Sequence, residues 1–107
     1  MKWDDFIRGI VDDAGTLAKN ELIDLVNNTT TDGEAFIQKQ GQKMKRYIQQ
    51  LADGEITKDD FQGYMVDLQG LMRMEELKIS VAAKARAQRI ADGIQSMIID
   101  RLLALIP

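Results

Sequence analysis

The sequence predicts an all-α protein, and three observations support that prediction. The single proline, Pro107, is the last of 107 residues, so no proline interrupts a helix before it. Apolar residues recur at intervals of three and four along most of the chain, which is the spacing of one helix face. Only 6% of the residues are aromatic, and the apolar content is mostly Ile, Leu, Ala and Met. We therefore expect one helical domain over residues 1–107.

A first amphipathic helix is predicted over residues 3–26. Gly9 and Gly15 each weaken it by about 1 kcal/mol relative to alanine, so we expect packing to supply its stability. The seven residues that follow, 27–33, have poor helix propensity and good capping chemistry, and they predict a loop. The predicted apolar face consists of Phe6, Ile7, Ile10, Ala14, Leu17, Ala18, Leu22 and Leu25.

A second helix is predicted over residues 34–52, followed by a turn over residues 53–57. Asp53 and Gly54 are typical turn residues. Thr57 and Asp60 then have the spacing of a capping box, which predicts the start of a third helix at residue 58. The inward face of the second helix is predicted to consist of Ile37, Met44, Tyr47, Ile48 and Leu51.

The third predicted helix is very long and covers residues 58–106. Its length would be roughly 73 Å, so two antiparallel helices would pack along it and oligomerisation would complete the bundle. The weakest point is Ile79-Ser80-Val81, but the alanine-rich run at 82–87 favours continuity. The alternative is a compact four-helix bundle with a break near Ser80. Whether the first helix extends along the bundle or folds back on it stays open at this point.

Blocks of charge alternate along the chain and favour particular neighbours. Residues 1–36 and 52–76 are mainly acidic, whereas residues 37–51 and 77–107 are mainly basic. The short turn at 53–57 folds the second helix back antiparallel on the start of the third, so opposite blocks meet. A first helix that continues away from the second would lie along the basic block at 77–107.

The C-terminal segment is apolar around most of the helix circumference, so it must be buried on more than one side. It is interpreted either as the end of a packed core or as a self-association surface. A membrane anchor is less favoured because the polar face lacks lysines. The candidate interaction surface consists of Met97, Ile98, Ile99, Leu102, Leu103, Leu105 and Ile106.

A candidate basic face consists of Lys39, Lys43 and Arg46, which align along one side of the second predicted helix. The net charge of −3, the lack of a DNA-binding motif and the lack of interleaved aromatic residues argue against nucleic acid. A solvated or internally paired face is therefore favoured. The run at 53–61 looks like half of a calcium-binding loop, but Leu51 would stand at a ligand position, so a turn and helix cap is favoured.

The chain has no histidine and no cysteine, which removes the side chains most used for proton transfer and thiolate chemistry. We expect no enzymatic activity, no cofactor and no metal. The acidic N-terminus and the lack of a long apolar window predict a cytoplasmic protein. The predicted function is a helical interaction or assembly module that forms homo-oligomers and has room for a protein partner. Nucleic-acid binding through the basic face and peripheral membrane association through the C-terminal segment are the alternatives.

Overall fold

The computed structural model describes residues 16–74 and 78–102, and the regular structure within those ranges is helical throughout. The described helices are α1 (Thr16–Thr30), α2 (Ala35–Ala52), α3 (Lys58–Met72) and α4 (Val81–Gly93). A π-helical segment, Ile94–Leu102, continues α4 directly. The all-α prediction is confirmed. The part of the first predicted helix that precedes Thr16 lies outside the described residues.

The helix α1 extends into the segment that was predicted to be a loop. Residues 27–30 are helical, and the connection to α2 shortens to residues 31–34. The Thr29 hydroxyl donates a 2.6 Å hydrogen bond to the Leu25 carbonyl oxygen, and the Thr31 hydroxyl donates one of 2.7 Å to the Asn27 carbonyl oxygen. Thr29 is also fully buried. Tertiary packing therefore outweighs the weak helix propensity of these residues, and the predicted loop boundary was wrong.

The hairpin of α2 and α3 agrees with the sequence prediction to within one residue. Gly54 has a φ angle of 75°, a left-handed conformation that glycine adopts without steric cost. The Asp60 amide donates to the Thr57 hydroxyl at 3.1 Å, and the Thr57 amide donates to the Asp60 carboxylate at 3.4 Å. This capping box confirms the predicted start of α3. The run that resembles half of a calcium-binding loop is a turn followed by a helix cap.

The prediction of one continuous helix over residues 58–106 was wrong. The helix α3 ends at Met72, and α4 begins after Ser80, whose hydroxyl accepts a 3.1 Å hydrogen bond from the Ala83 amide. The alternative break near Ser80 is therefore the one observed. Its physical reason is burial: the fold-back packs Ala83, Ala87 and Ala91 against Ile37 and Met72. The longest principal extent of the protein is 39 Å, far below the length of the predicted helix.

The main core lies between α1, the α2–α3 hairpin and the π-helical segment. Each of these elements contributes apolar side chains, so the core closes within one chain. The helix α1 packs on both α2 and the π-helical segment. Of the two arrangements left open for the first helix, the described part therefore folds back on the bundle. The buried residues of this core are Leu22, Val26, Met44, Ile48, Leu51, Phe61, Met65, Leu68, Ile94, Met97 and Ile98.

Candidate interaction surface

Two ion pairs join the acidic first part of the chain to its basic last part. Arg86 binds the Asp32 carboxylate with two nitrogens at 3.0 and 3.1 Å. Arg101 lies 2.7 Å from the Glu21 carboxylate across α1 and the π-helical segment. The Asp32 side chain is only 8% exposed, so its pair with Arg86 is shielded more strongly from water than an ordinary surface pair.

The electrostatics of Asp32 follow from this arrangement. The Arg86 hydrogen bonds lower the pKa of the Asp32 carboxyl, and burial opposes them but does not outweigh them. The Glu34 amide donates a further hydrogen bond of 2.8 Å to the same carboxylate and lowers the pKa as well. The contact also raises the pKa of the Arg86 guanidinium. The pair fixes the α1–α2 connection onto α4.

A pocket of about 280 Å³ lies beside this pair. Its polar groups are largely committed to each other, since Arg86 is held by Asp32 and the Thr29 hydroxyl bonds to its own helix. Most of the exposed wall is apolar, although Asn28 and Arg89 also line it, so the pocket offers a ligand few directional contacts. The lining residues are Leu25, Asn28, Thr29, Asp32, Arg86, Arg89 and Ile90. The pocket is best explained as a gap beside a structural ion pair.

The structure buries part of the predicted C-terminal interaction surface. Met97 and Ile98 are 3% and 0% exposed and belong to the main core, so these two side chains are not available to a partner. Ile99 is half-buried against the same core. Leu102 ends the π-helical segment, and Leu103, Leu105 and Ile106 lie outside the described residues. Self-association or membrane contact through that last stretch stays a prediction, for which flotation with liposomes is the direct membrane test.

The predicted basic face lies on the outer side of α2. Lys39 and Arg46 are exposed and Lys43 is half-buried. Within the described residues, none of these three side chains forms an ion pair with a carboxylate. By contrast, Arg73, Arg86 and Arg101 are each bound to an aspartate or glutamate. The charges of Lys39, Lys43 and Arg46 are therefore not paired with a carboxylate of the residues that the structure describes.

Two tyrosines lie beside this basic face. They are on different helices, so the spacing of residues along one helix did not predict their contact. The rings of Tyr47 and Tyr64 stack with centroids 4.9 Å apart and an interplanar angle of 27°. The Arg46 guanidinium carbon lies 5.6 Å from the Tyr47 ring centroid. Tyr64 is 39% exposed. The hairpin register could have revealed the pair, because Tyr47 and Tyr64 are nearly equally distant from the middle of the turn.

Acidic residues lie on α3 on either side of Tyr64 in the sequence. Asp60 and Asp67 are exposed and lie about one helical turn before and after Tyr64. The hairpin therefore presents a basic stripe on α2, a tyrosine pair in the middle and an acidic stripe on α3. We call this surface the hairpin outer face, and it consists of Lys39, Lys43, Arg46, Tyr47, Asp60, Tyr64 and Asp67.

Comparison of the chain with models of known families, with curated proteins and with solved structures returned no match. In the described ranges, no helix is long and apolar enough to cross a membrane. The same residues contain no group of three or more carboxylates arranged to hold a metal ion.

Proposed function

We propose that this protein is a helical interaction module that binds a protein partner through the hairpin outer face. The observation that supports the proposal is the contrast between its cations. Arg73, Arg86 and Arg101 are held by carboxylates, whereas Lys39, Lys43 and Arg46 form no ion pair within the described ranges and lie beside an exposed tyrosine. Tyrosine and arginine are enriched in the energetically dominant positions of protein interfaces.

The two signs of charge on this surface favour a protein over a polyanion. A nucleic acid attracted by Lys39 and Lys43 would also meet the carboxylates of Asp60 and Asp67 on the neighbouring helix. A folded partner can present both signs in a complementary pattern, which increases specificity and the rate of association. The partner expected here has an acidic stripe opposite α2 and a basic stripe opposite α3.

Site-specific photocrosslinking tests the proposal in cells. A benzophenone amino acid at Tyr64 keeps an aromatic ring on the surface, and the same amino acid at Gln88, exposed on α4, is the matched control. We expect an adduct of one defined mass from position 64, absent from position 88 and weakened by Lys43→Glu. No adduct at position 64, or identical adducts at both positions, would contradict an interaction through this surface.

Nucleic-acid binding is the second candidate, and the stack of Arg46, Tyr47 and Tyr64 is the observation that favours it. Unpaired bases stack on aromatic rings while lysines contact phosphates. Replacing Lys39, Lys43 and Arg46 together with glutamine should abolish a salt-dependent shift of a single-stranded oligonucleotide, and Arg89→Gln on α4 should leave it unchanged. If the native chain shows no shift at low salt, this candidate is removed.

A further inference from the structure

We infer that the hairpin outer face binds a second copy of this chain about a two-fold axis that runs parallel to α2 and α3. The inference rests on the proposed function and names the partner of the same surface. Its basis is the charge pattern: one helix of the hairpin carries the basic stripe and the other carries the acidic stripe. Such a surface is complementary to itself when the two stripes exchange places between copies.

The stacked tyrosines fix the heights of the charged residues along the hairpin. The rings of Tyr47 and Tyr64 meet between the two helices with centroids 4.9 Å apart, so the two residues lie at similar heights along the hairpin. Lys43 precedes Tyr47 by four residues, which is about 6 Å along α2. Asp67 follows Tyr64 by three residues, which is about 4.5 Å along α3 in the same direction, because the helices are antiparallel. Lys43 and Asp67 therefore lie on the same side of the tyrosine pair and at similar heights.

Both charged residues also lie on the solvent side of the tyrosines. Successive residues of an α-helix turn by about 100°, so Lys43 lies roughly 40° and Asp67 roughly 60° further from the core than the adjacent tyrosine. Asp67 is exposed, and Lys43 is half-buried. Neither forms an ion pair with the other within the chain. Each is therefore available to a group above the hairpin.

Rotation by 180° about an axis parallel to the helices leaves the position of each residue along that axis unchanged and exchanges the sides on which α2 and α3 lie. It places α2 of one copy opposite α3 of the other, so Lys43 faces Asp67 of the partner subunit. Symmetry repeats this contact, because an isologous interface uses each contact twice. The Tyr64 ring, 39% exposed in one chain, lies near the axis and is covered by its equivalent.

The other arrangement of two hairpins is disfavoured by the same charges. A two-fold axis perpendicular to the helices places α2 opposite α2, so lysines and arginine face lysines and arginine. Like charges in direct opposition weaken an interface. The charge pattern therefore selects one symmetry axis as well as one surface.

A charge-exchange experiment tests the inference with the full chain. Lys43→Glu and Asp67→Lys each introduce two like-charge contacts, and each should weaken self-association by at least about tenfold in sedimentation equilibrium. An equimolar mixture of the two variants restores both contacts and should associate at least as well as the native chain. Arg89→Glu is the control for a change of net charge alone. Circular dichroism should show native helicity for all three variants.

The symmetry axis has its own test, because the chain contains no cysteine. A mixture of Lys43→Cys and Asp67→Cys chains should give a mixed dimer with a short bis-maleimide, faster than either variant alone. Rapid crosslinking of Lys43→Cys with itself would indicate the perpendicular axis and overturn the inference.

The outcomes separate the inference from the proposed function. If the native chain stays monomeric at low salt up to millimolar concentration, the inference that a second copy is the partner is overturned. In that case, a crosslinked adduct of one defined mass at position 64 would still support the proposed interaction module. A dimer that is unaffected by either charge reversal overturns the hairpin outer face as its interface. Dimerisation that weakens as salt rises supports the inference, because exposed charge contacts are screened.

Discussion

The helix α2 has two sides that the protein uses differently. On the side toward α1, Gly41 lies so close to Thr29 that an added Cβ would stand 2.7 Å from the Thr29 carbonyl carbon. On the opposite side, Lys39 and Arg46 are exposed and form no ion pair with any carboxylate in residues 16–74 and 78–102. The first side is fixed by backbone contact and the second has no such constraint. The close packing and the proposed interaction surface therefore lie on opposite sides of one helix, and the two can be varied separately.

The largest expected effect comes from the α1 side. Gly41→Ala should destabilise the protein by about 3 kcal/mol, because the new Cβ meets backbone atoms that move only if the helices separate. Urea denaturation followed by circular dichroism measures this loss. Gly70→Ala is the matched control, since a Cβ there meets nothing within 4 Å, and it should stabilise α3 by up to about 1 kcal/mol. Equal changes in the free energy of unfolding for Gly41→Ala and Gly70→Ala would contradict a specific role for the close contact at Gly41.

The buried end of the Asp32–Arg86 pair should give the next effect. Asp32→Asn should cost about 1–3 kcal/mol at pH 7, because the charge-assisted hydrogen bonds from Arg86 are weakened. The pKa of Asp32 is lowered in the folded state, so its contribution is present above the unfolded pKa, close to 3.8, and is lost as pH falls through the folded value. The variant should therefore lose less stability than the native chain between pH 5 and pH 2. If the free energy of unfolding fell equally with pH in Asp32→Asn and in the native chain, the Asp32–Arg86 pair would not be a source of the pH dependence.

The cap of α4 should contribute about 1 kcal/mol. Ser80→Ala removes the hydroxyl that accepts from the Ala83 amide, whereas Ser80→Asp retains an acceptor and should preserve stability. Thermal unfolding of the two variants measures the difference. We expect the break between α3 and α4 to persist in Ser80→Ala, because burial of the α4 alanines and not the cap alone holds the fold-back. An elongated, fully helical chain would contradict that explanation.

The smallest effect on stability is expected from the basic side of α2. Replacing Lys39, Lys43 and Arg46 with glutamine should change the free energy of unfolding by less than about 1 kcal/mol in total, because charges in contact with water and without an ion pair among the described residues contribute little to folding. The measurement is urea denaturation at a protein concentration below the association range. A loss as large as that of Asp32→Asn would show that these cations serve the fold and would weaken the proposed function.

Part of the candidate site was predictable from the sequence. The alignment of Lys39, Lys43 and Arg46 follows from their spacing on one helix. The stacking of Tyr47 on Tyr64 was not predicted, because it depends on the hairpin register and joins residues 17 positions apart. The burial of Met97 and Ile98 was one of two interpretations of an all-round apolar helix, and only packing against α1 and the hairpin decided it.

The sequence by itself determined what depends on neighbouring residues: the helical class, the extent of α2, the turn at Gly54 and the capping box of Thr57 and Asp60. These features arise from propensities and hydrogen bonds within about one helical turn. Tertiary structure alone decided where α1 ends, that the chain reverses between Met72 and Val81, and which charges are paired. Each of those outcomes depends on burial or contact between distant residues, whose free energy exceeds the local preference of about a few tenths of a kcal/mol per residue.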